Sequence, residues 1–341
     1  MEDLLFLEPE QQAALMGAIS DAVLAVDKKG KPLFYNTRFA VLVGKQALKT
    51  GTTFRDFFSD ASILETYQTA LDKGQTATTH SIVLVNESGK SYFSLSVSPL
   101  QNGAVGIFHD VTDLKRAEQM RIDFVANVSH ELRTPLTAIK GYADTLLDDA
   151  TQGRPIERPF LESIVRNTGR LMNLINDLLD LSSLESTEVI HAAETDTQEL
   201  TSRILSQMQN AFERKNQKAT LQIDAPFVFA DSKRIEQVLV NLIDNASKYT
   251  PAGGKIHVSW EQGKDHKVLL KVKDTGPGIP LEHHARLFER FYRVDKARSR
   301  EQGGTGLGLA IVKHILQRHG GTVSIESTVG QGATFICEFP G

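Results

Sequence analysis

The 341-residue chain contains a single cysteine, Cys337, so no disulfide framework is available to it. Within the alternation Ala333-Thr-Phe-Ile-Cys-Glu-Phe339 that thiol reads as a buried strand residue, in a protein suited to a reducing compartment. No run reaches the roughly 18 uninterrupted apolar residues that a membrane-spanning helix needs. The opening stretch, Met1 to Pro9, is acidic where a secretory leader is basic. Neither sign of charge dominates: 38 basic and 42 acidic side chains leave a formal net charge of -4, which excludes a chain-wide field attracting nucleic acid. Internal repeats and low-complexity tracts are also missing. These absences point to a cytoplasmic chain with no membrane segment of its own. They do not separate a soluble protein from the cytosolic part of a membrane-anchored sensor.

What is present divides into three segments by periodicity: 1–113, 114–190 and 191–341. The first is strand-rich. Ala22 to Val26 runs into the turn Asp27-Lys-Lys-Gly30 and then Pro32 to Tyr35; beyond a helical middle come alternating segments at 78–86, 91–99 and 103–110, the first two separated by a Glu-Ser-Gly turn at 87–89. An antiparallel sheet with short helices is expected. The second segment turns helical. One helix is predicted from near Thr112 through His130 to about Leu147, with a kink at Pro135, where the ring removes a backbone hydrogen bond. A return helix carries Phe160, Ile164, Leu171, Leu174, Leu178, Leu181 and Leu184, an apolar stripe at spacings of three and four. Two such helices cannot bury their stripes alone, so a homodimeric four-helix bundle is expected. The third segment alternates: helix 196–215, strands 219–223 and 227–230, helix 232–248, strands 255–261 and 267–273, helix 306–319, and strands 322–327 and 332–339. An α/β sandwich of mixed sheet under helices follows.

Chemistry concentrates in five places. His130 lies in Ser129-His-Glu-Leu-Arg-Thr-Pro-Leu136 and offers a ring nitrogen that is nucleophilic near neutral pH. Asn241, Asn245 and Lys248 share one helix face, with amide oxygens that suit Mg²⁺ and an ammonium that suits a phosphate. Asp274-Thr-Gly-Pro-Gly-Ile279 places an acid at a strand end beside two glycines. Gly303-Gly-Thr-Gly-Leu-Gly-Leu309 opens a helix whose amides can approach phosphate oxygens. Between the last two, Arg286, Arg290, Arg293, Lys296, Arg298 and Arg300 surround Phe288, Phe291 and Tyr292, a composition that fits either a solvated surface or a lid over a polyanion. Taken singly, the asparagine face has the plainer reading of an exposed helix surface and the Asp274 motif that of a turn.

In this order and together, the motifs SHELRTPL, NLIDNASKYT, DTGPGI, FERFYRVD and GGTGLGLA resemble the H, N, G1, F and G2 boxes of sensor histidine kinases, over about Leu114 to Phe339. The resemblance implies dimerisation helices followed by an ATP-binding domain of the kind shared with Hsp90, gyrase and MutL. It implies that His130 is autophosphorylated from ATP, that Glu131 polarises its ring, and that the phosphoryl group passes to an aspartate on a response regulator receiver domain. Asn241 binds Mg²⁺ on this likeness, Asn245 and Lys248 hold the phosphates, and Tyr249 packs near the nucleotide. Asp274 takes the adenine amino group, with Gly276 and Gly278 shaping the pocket. Gly304, Thr305, Gly306, Leu307 and Gly308 form the foldable glycine segment, and Arg293 matches the lid arginine that reaches the γ-phosphate. Glu131 is the immediate neighbour of His130, and adjacent helix residues do not face each other, so its role needs a particular rotamer. Thr134 matches the position that orients a water for dephosphorylating the regulator. Its plainer reading is a helix-surface threonine before proline.

The first segment resembles a PAS sensor module through Asn36 in Phe34-Tyr-Asn-Thr-Arg-Phe39 and the closing Asp110-Val-Thr-Asp-Leu-Lys115. Its stimulus is not legible. A flavin–cysteine adduct is excluded because the segment has no cysteine, and His80 and His109 lie in strands that fit haem ligation poorly. Two rival functions stand beside the kinase: a conformational-clamp ATPase of the Hsp90 type, and a catalytically idle dimeric adaptor.

Overall fold

The computed structural model describes residues 17, 19–44, 48, 53–86, 89–185, 189–295 and 304–340. Lys296, Arg298, Arg300, Gly303 and most of the 87–89 turn lie outside these residues. The chain forms two compact units, Met1–Asp123 and Phe124–Gly341.

The first unit is a five-stranded antiparallel sheet in the order β2-β1-β5-β4-β3. Its strands are β1 (Ala22–Asp27), β2 (Pro32–Tyr35), β3 (Ala77–Asn86), β4 (Gly89–Leu100) and β5 (Gly103–Asp110), with helices α1 (Thr37–Val43) and α2 (Ala61–Lys73) between β2 and β3. Asn36 links α1 to β1 and to the residue just before it. Its Oδ1 accepts from Phe39 N at 3.0 Å, capping α1, and from Val23 N at 3.1 Å, while its Nδ2 donates to Asp21 O at 2.8 Å. The core between sheet and helices is filled by rings: Phe39 and Phe108 lie 5.9 Å apart, Phe58 stacks on Phe108 at 5.2 Å, and Phe54 meets the fully buried Tyr67 at 4.9 Å. Tyr67 satisfies its hydroxyl on Leu24 O at 3.0 Å. His80 Nδ1 lies 2.9 Å from Ser94 Oγ and His109 Nδ1 2.9 Å from Asp21 Oδ1. At the exit, Asp110 Oδ1 accepts from Thr112 N at 2.8 Å and Thr112 Oγ1 from Tyr92 N at 2.9 Å. These bonds tie the last strand to the helix that follows.

That helix, α3 (Thr112–Thr151), runs uninterrupted through Pro135 and extends four residues beyond the expected end at Leu147. The return helix is α4 (Arg158–Glu185). Its sides are divided in a way the apolar stripe did not foretell. Leu174, Leu181 and Leu184 are buried in the core of the C-terminal lobe, whereas Leu161, Val165, Met172, Ile175 and Leu179 form a second, exposed row.

The lobe contains a mixed five-stranded sheet, β11-β12-β10-β9-β7, in which only the β7–β9 pair is parallel. The strands are β7 (Lys218–Ile223), β9 (Lys255–Gln262), β10 (Val268–Asp274), β11 (Thr322–Ser327) and β12 (Ala333–Phe339). Over it pack α5 (Thr197–Gln207), α7 (Ser232–Tyr249) and α9 (Gly308–Arg318), whose buried faces include Leu200, Leu239 and Ile311. Trp260 is fully enclosed, and its Nε1 donates to Thr201 Oγ1 at 2.9 Å. Cys337 is buried in β12, which pushes its thiol pKa well above the usual range.

Two expectations are corrected. The single helix 196–215 is broken at Met208 (φ -91°, ψ 0°) into α5 and α6 (Gln209–Arg214). Strand β8 (Phe227–Ala230) does not join the main sheet; it pairs with β6 (Ala193–Asp196), a strand whose polar sequence hid it. A further short helix, α8 (Leu281–His284), follows the Asp274 motif.

Candidate active site

Helix α7 positions the polar face predicted for it. Its apolar residues recur every three or four positions into the core, which leaves Asn241, Asn245 and Lys248 on the side facing a cleft of about 430 Å³. That volume lies in the range of small-molecule sites. Asn241 Nδ2 donates to Gln237 O at 3.0 Å, and among the described residues its amide oxygen accepts no hydrogen bond. This oxygen sits against Gly308, where a Cβ would approach it to 2.5 Å. Lys248 is paired with Asp244 at 2.6 Å, one turn back on the same helix.

Asp274 ends β10 and is nearly inaccessible, with Oδ1 accepting from Gly276 N at 2.7 Å. Burial pushes its carboxyl pKa up; the backbone amides of Gly276 and Ala333 oppose that shift without cancelling it. Gly278 has φ +71°, and a side chain there would run into the backbone of Thr328. Gly306, at φ +76°, approaches Phe291 so closely that a Cβ would lie 2.9 Å from its Cα. Among the described residues the first turn of α9 has no side-chain cap, which leaves its amides at the cleft margin.

The cleft walls contain Asn241, Asn245, Lys248, Tyr249, Asp274, Gly278, Arg293, Gly304, Thr305, Gly306 and Gly308. Leu307 is instead a fully buried core residue, and Gly276 holds Asp274 from outside the wall. His130, Glu131 and Thr134 are not wall residues, yet they are connected to it. Arg293 Nη2 donates to Glu131 Oε2 at 3.3 Å, and Arg170 Nη2 donates to the same oxygen at 3.0 Å. His130 is 63% exposed, with Nδ1 4.0 Å from Glu131 Oε1. Thr134 donates to the carbonyl of His130 at 3.2 Å, bonding back onto its own helix.

Sequence reasoning missed the contribution of α4. Asn173, Asn176 and Asp177 complete the cleft, and Asp177 Oδ2 accepts from Thr305 Oγ1 at 2.6 Å. The available signal was a polar row, Arg170, Asn173 and Asp177, on the helix whose apolar stripe was read for dimerisation.

Three family models match stretches of the chain. Residues 17–116 match the PAS fold, 120–187 the His Kinase A (phospho-acceptor) domain, and 230–341 the histidine kinase-, DNA gyrase B- and HSP90-like ATPase. The phosphate regulon sensor protein PhoR of Pseudomonas aeruginosa is 37% identical over 338 residues, covering 94% of this chain and 72% of that protein. The sensor histidine kinase WalK of Bacillus subtilis is 33% identical over 354 residues, covering 98% of this chain and 56% of its own length. The chain belongs to the sensor histidine kinases. Among solved structures, the Acinetobacter baumannii histidine kinase AdeS shares 30% identity over 62% of this chain and 97% of that one, with a TM-score of 0.51.

As a sensor histidine kinase the chain is an ATP-dependent phosphotransferase, and the cleft belongs to its ATPase-type lobe. It spans about half the length of the WalK relative. Among the described residues no helix is long and apolar enough to cross a membrane.

Proposed function

We propose that ATP binds the cleft and that His130 accepts its γ-phosphoryl group, which then passes to an aspartate of a response regulator receiver domain. The observation that carries this reading is the bond between Arg293, a wall of the cleft, and Glu131, the neighbour of His130. The two halves of the reaction thus share a contact within one unit.

In this reading Asp274 accepts from the adenine amino group in a pocket kept open by Gly276 and Gly278. Asn245 and Lys248 hold phosphate oxygens, with Lys248 exchanging Asp244 for the stronger anion. The free amide oxygen of Asn241 is a hard donor of the kind Mg²⁺ takes, and it opens onto the cleft, so the residues present fit the ion. Bound with ATP, Mg²⁺ supplies neutralisation of phosphate charge. Arg293 leaves Glu131 for the γ-phosphate. Nε2 of the neutral His130 imidazole attacks the γ-phosphorus, the bond to the β-phosphate oxygen breaks, and ADP departs. Catalysis consists mainly of positioning and charge compensation. Leu161, Val165, Met172, Ile175 and Leu179 supply the apolar seam for a homodimer. Thr134, one turn from His130, orients water when the regulator is dephosphorylated. The PAS-like unit senses an unidentified stimulus, and the kinase works at the cytoplasmic side.

Incubation with γ-labelled ATP tests the reading. Acid-labile, base-stable label on the wild type, absent from His130→Ala, is the expected result. Hydrolysis without retained label, unaffected by that substitution, fits the clamp ATPase and overturns it.

A further inference from the structure

A nucleophilic imidazole must present one nitrogen and keep its proton on the other. That is difficult when the acid assigned to hold the proton is the next residue along a helix, because neighbouring side chains diverge by about 100°. Glu131 therefore needs something to turn it toward His130. The structure contains such a device in a residue from the other helix of the hairpin.

We propose that Arg170 is a positioning residue for phosphoacceptance: it holds one oxygen of Glu131 and thereby directs the other at His130 Nδ1. Arg170 Nη2 donates to Oε2 at 3.0 Å, and the opposite oxygen, Oε1, is the one that faces Nδ1 at 4.0 Å. Both partners are largely shielded, with side chains 16% and 14% exposed, whereas the imidazole is open to solvent. A charge-assisted bond between shielded groups is stronger and better directed than an exposed ion pair.

Arg293 uses the same oxygen, Oε2, at 3.3 Å. The two arginines differ in where they are anchored. Arg293 belongs to the cleft and, on the reading proposed above, on which this inference rests, moves to the γ-phosphate. Arg170 is rooted on α4 and stays with the hairpin. Its bond keeps Glu131 from following the departing lid or turning to solvent. Nδ1–H then donates to Oε1 after a small closure of the 4.0 Å gap, which leaves the Nε2 lone pair for attack. Arg170 is not a wall residue of the cleft, and its hydrogen-bond partner is Glu131.

The test uses the full chain with γ-labelled ATP and compares wild type, R170Q, R170K, E131Q and the R170Q/E131Q double variant. R170Q is expected to lower the autophosphorylation kcat by about tenfold, the lower end of what removal of an orienting group does, with KM for ATP unchanged. R170K, which keeps the charge on a less directed group, is expected to recover part of the loss. On the E131Q background R170Q is expected to add less than about twofold, because the two residues act as one unit. Should R170Q melt earlier than the wild type, R170M, which keeps the apolar stem, replaces it in the same comparison. An unchanged kcat in the folded variant, a loss that appears in KM alone, or a loss that multiplies fully with E131Q overturns the proposal. Absence of label at His130 in the wild type itself defeats the phosphoacceptor reading, and that failure is visible before any variant is made.

Discussion

Thr305 donates its hydroxyl to Asp177 Oδ2 at 2.6 Å and so ties the loop before α9 to the return helix of the hairpin. The acceptor is an unfavourable place for charge. Burial pushes the Asp177 carboxyl pKa up; the charges of Asp180 and Asp244 add to the rise, while Thr305 and Lys248 work against it. A carboxyl with a raised folded-state pKa binds its proton more tightly when folded, so wild-type stability grows as pH falls through that pKa. Asp177→Asn keeps an oxygen for Thr305 and removes this dependence. It is expected to melt above the wild type at pH 8, with the gap closing on acidification. A melting series from pH 8 down into the ordinary aspartate range checks this, and a gap that widens contradicts it.

Arg293 is only 7% exposed while it holds Glu131. Arg293→Ala is expected to reduce autophosphorylation on the order of 10²-fold or more, as loss of a donor aimed at developing charge does. Nucleotide affinity is expected to change little, because the contacts proposed for Asp274, Asn245 and Lys248 do not involve this side chain. Calorimetry beside single-turnover labelling separates the two effects; equal losses in both assign Arg293 to ground-state binding.

Gly306→Ala adds a Cβ at a positive φ, 2.9 Å from Phe291 Cα. The left-handed conformation alone costs about 1–2 kcal/mol in a non-glycine residue, and the near-contact adds to that. Weaker nucleotide binding with an otherwise folded lobe is the expected outcome, read by calorimetry and circular dichroism. Wild-type affinity in the variant removes the steric role of this glycine.

Nucleotide affinity is expected to fall on acidification, beginning above the range of an ordinary aspartate. The reason is the raised pKa of Asp274: on the proposed reading its ionised form accepts from adenine, and burial makes it take up its proton at a higher pH than an exposed acid does. Titration with a non-hydrolysable ATP analogue at several pH values measures it. The Asp274→Asn variant should bind on the order of tenfold more weakly or worse, given 1–3 kcal/mol for a buried unmatched group. A pH dependence that persists in that variant assigns the titration elsewhere.

In the first unit, Asn36→Ala removes the cap of α1 and strands the buried amide of Val23. A cap is worth about 1 kcal/mol and an unsatisfied buried donor about 1–3 kcal/mol, so a loss of about 2–4 kcal/mol in this unit is expected. Limited proteolysis of residues 17–123 reports it, and unchanged protection refutes the structural role of the asparagine.

Helix α7 shows why much of the site was legible. Its apolar and polar residues alternate with the helical period, so spacing alone placed Asn241, Asn245 and Lys248 together, and a short-range rule suffices for that. Asp274 was legible for a similar reason, being the polar end of an apolar strand next to two glycines. Strand β6 was not: Ala193-Glu-Thr-Asp196 carries no apolar alternation and becomes a strand only because Phe227–Ala230 offers it a partner. Met208 broke the expected long helix although nothing in its side chain is a helix breaker.

Sequence by itself therefore determined the periods of the helices and strands, the glycines that let chain segments approach closely, and the chemical groups brought to the cleft, since each depends on neighbours within a turn or two. Tertiary structure alone decided which α4 residues face the cleft, that Leu174 and Leu181 enter the lobe's core, and that Arg170 and Arg293 meet on one oxygen of Glu131. Those outcomes join residues 39 and 162 positions apart. They are settled by which surfaces bury one another, a competition over the whole chain that no local pattern encodes.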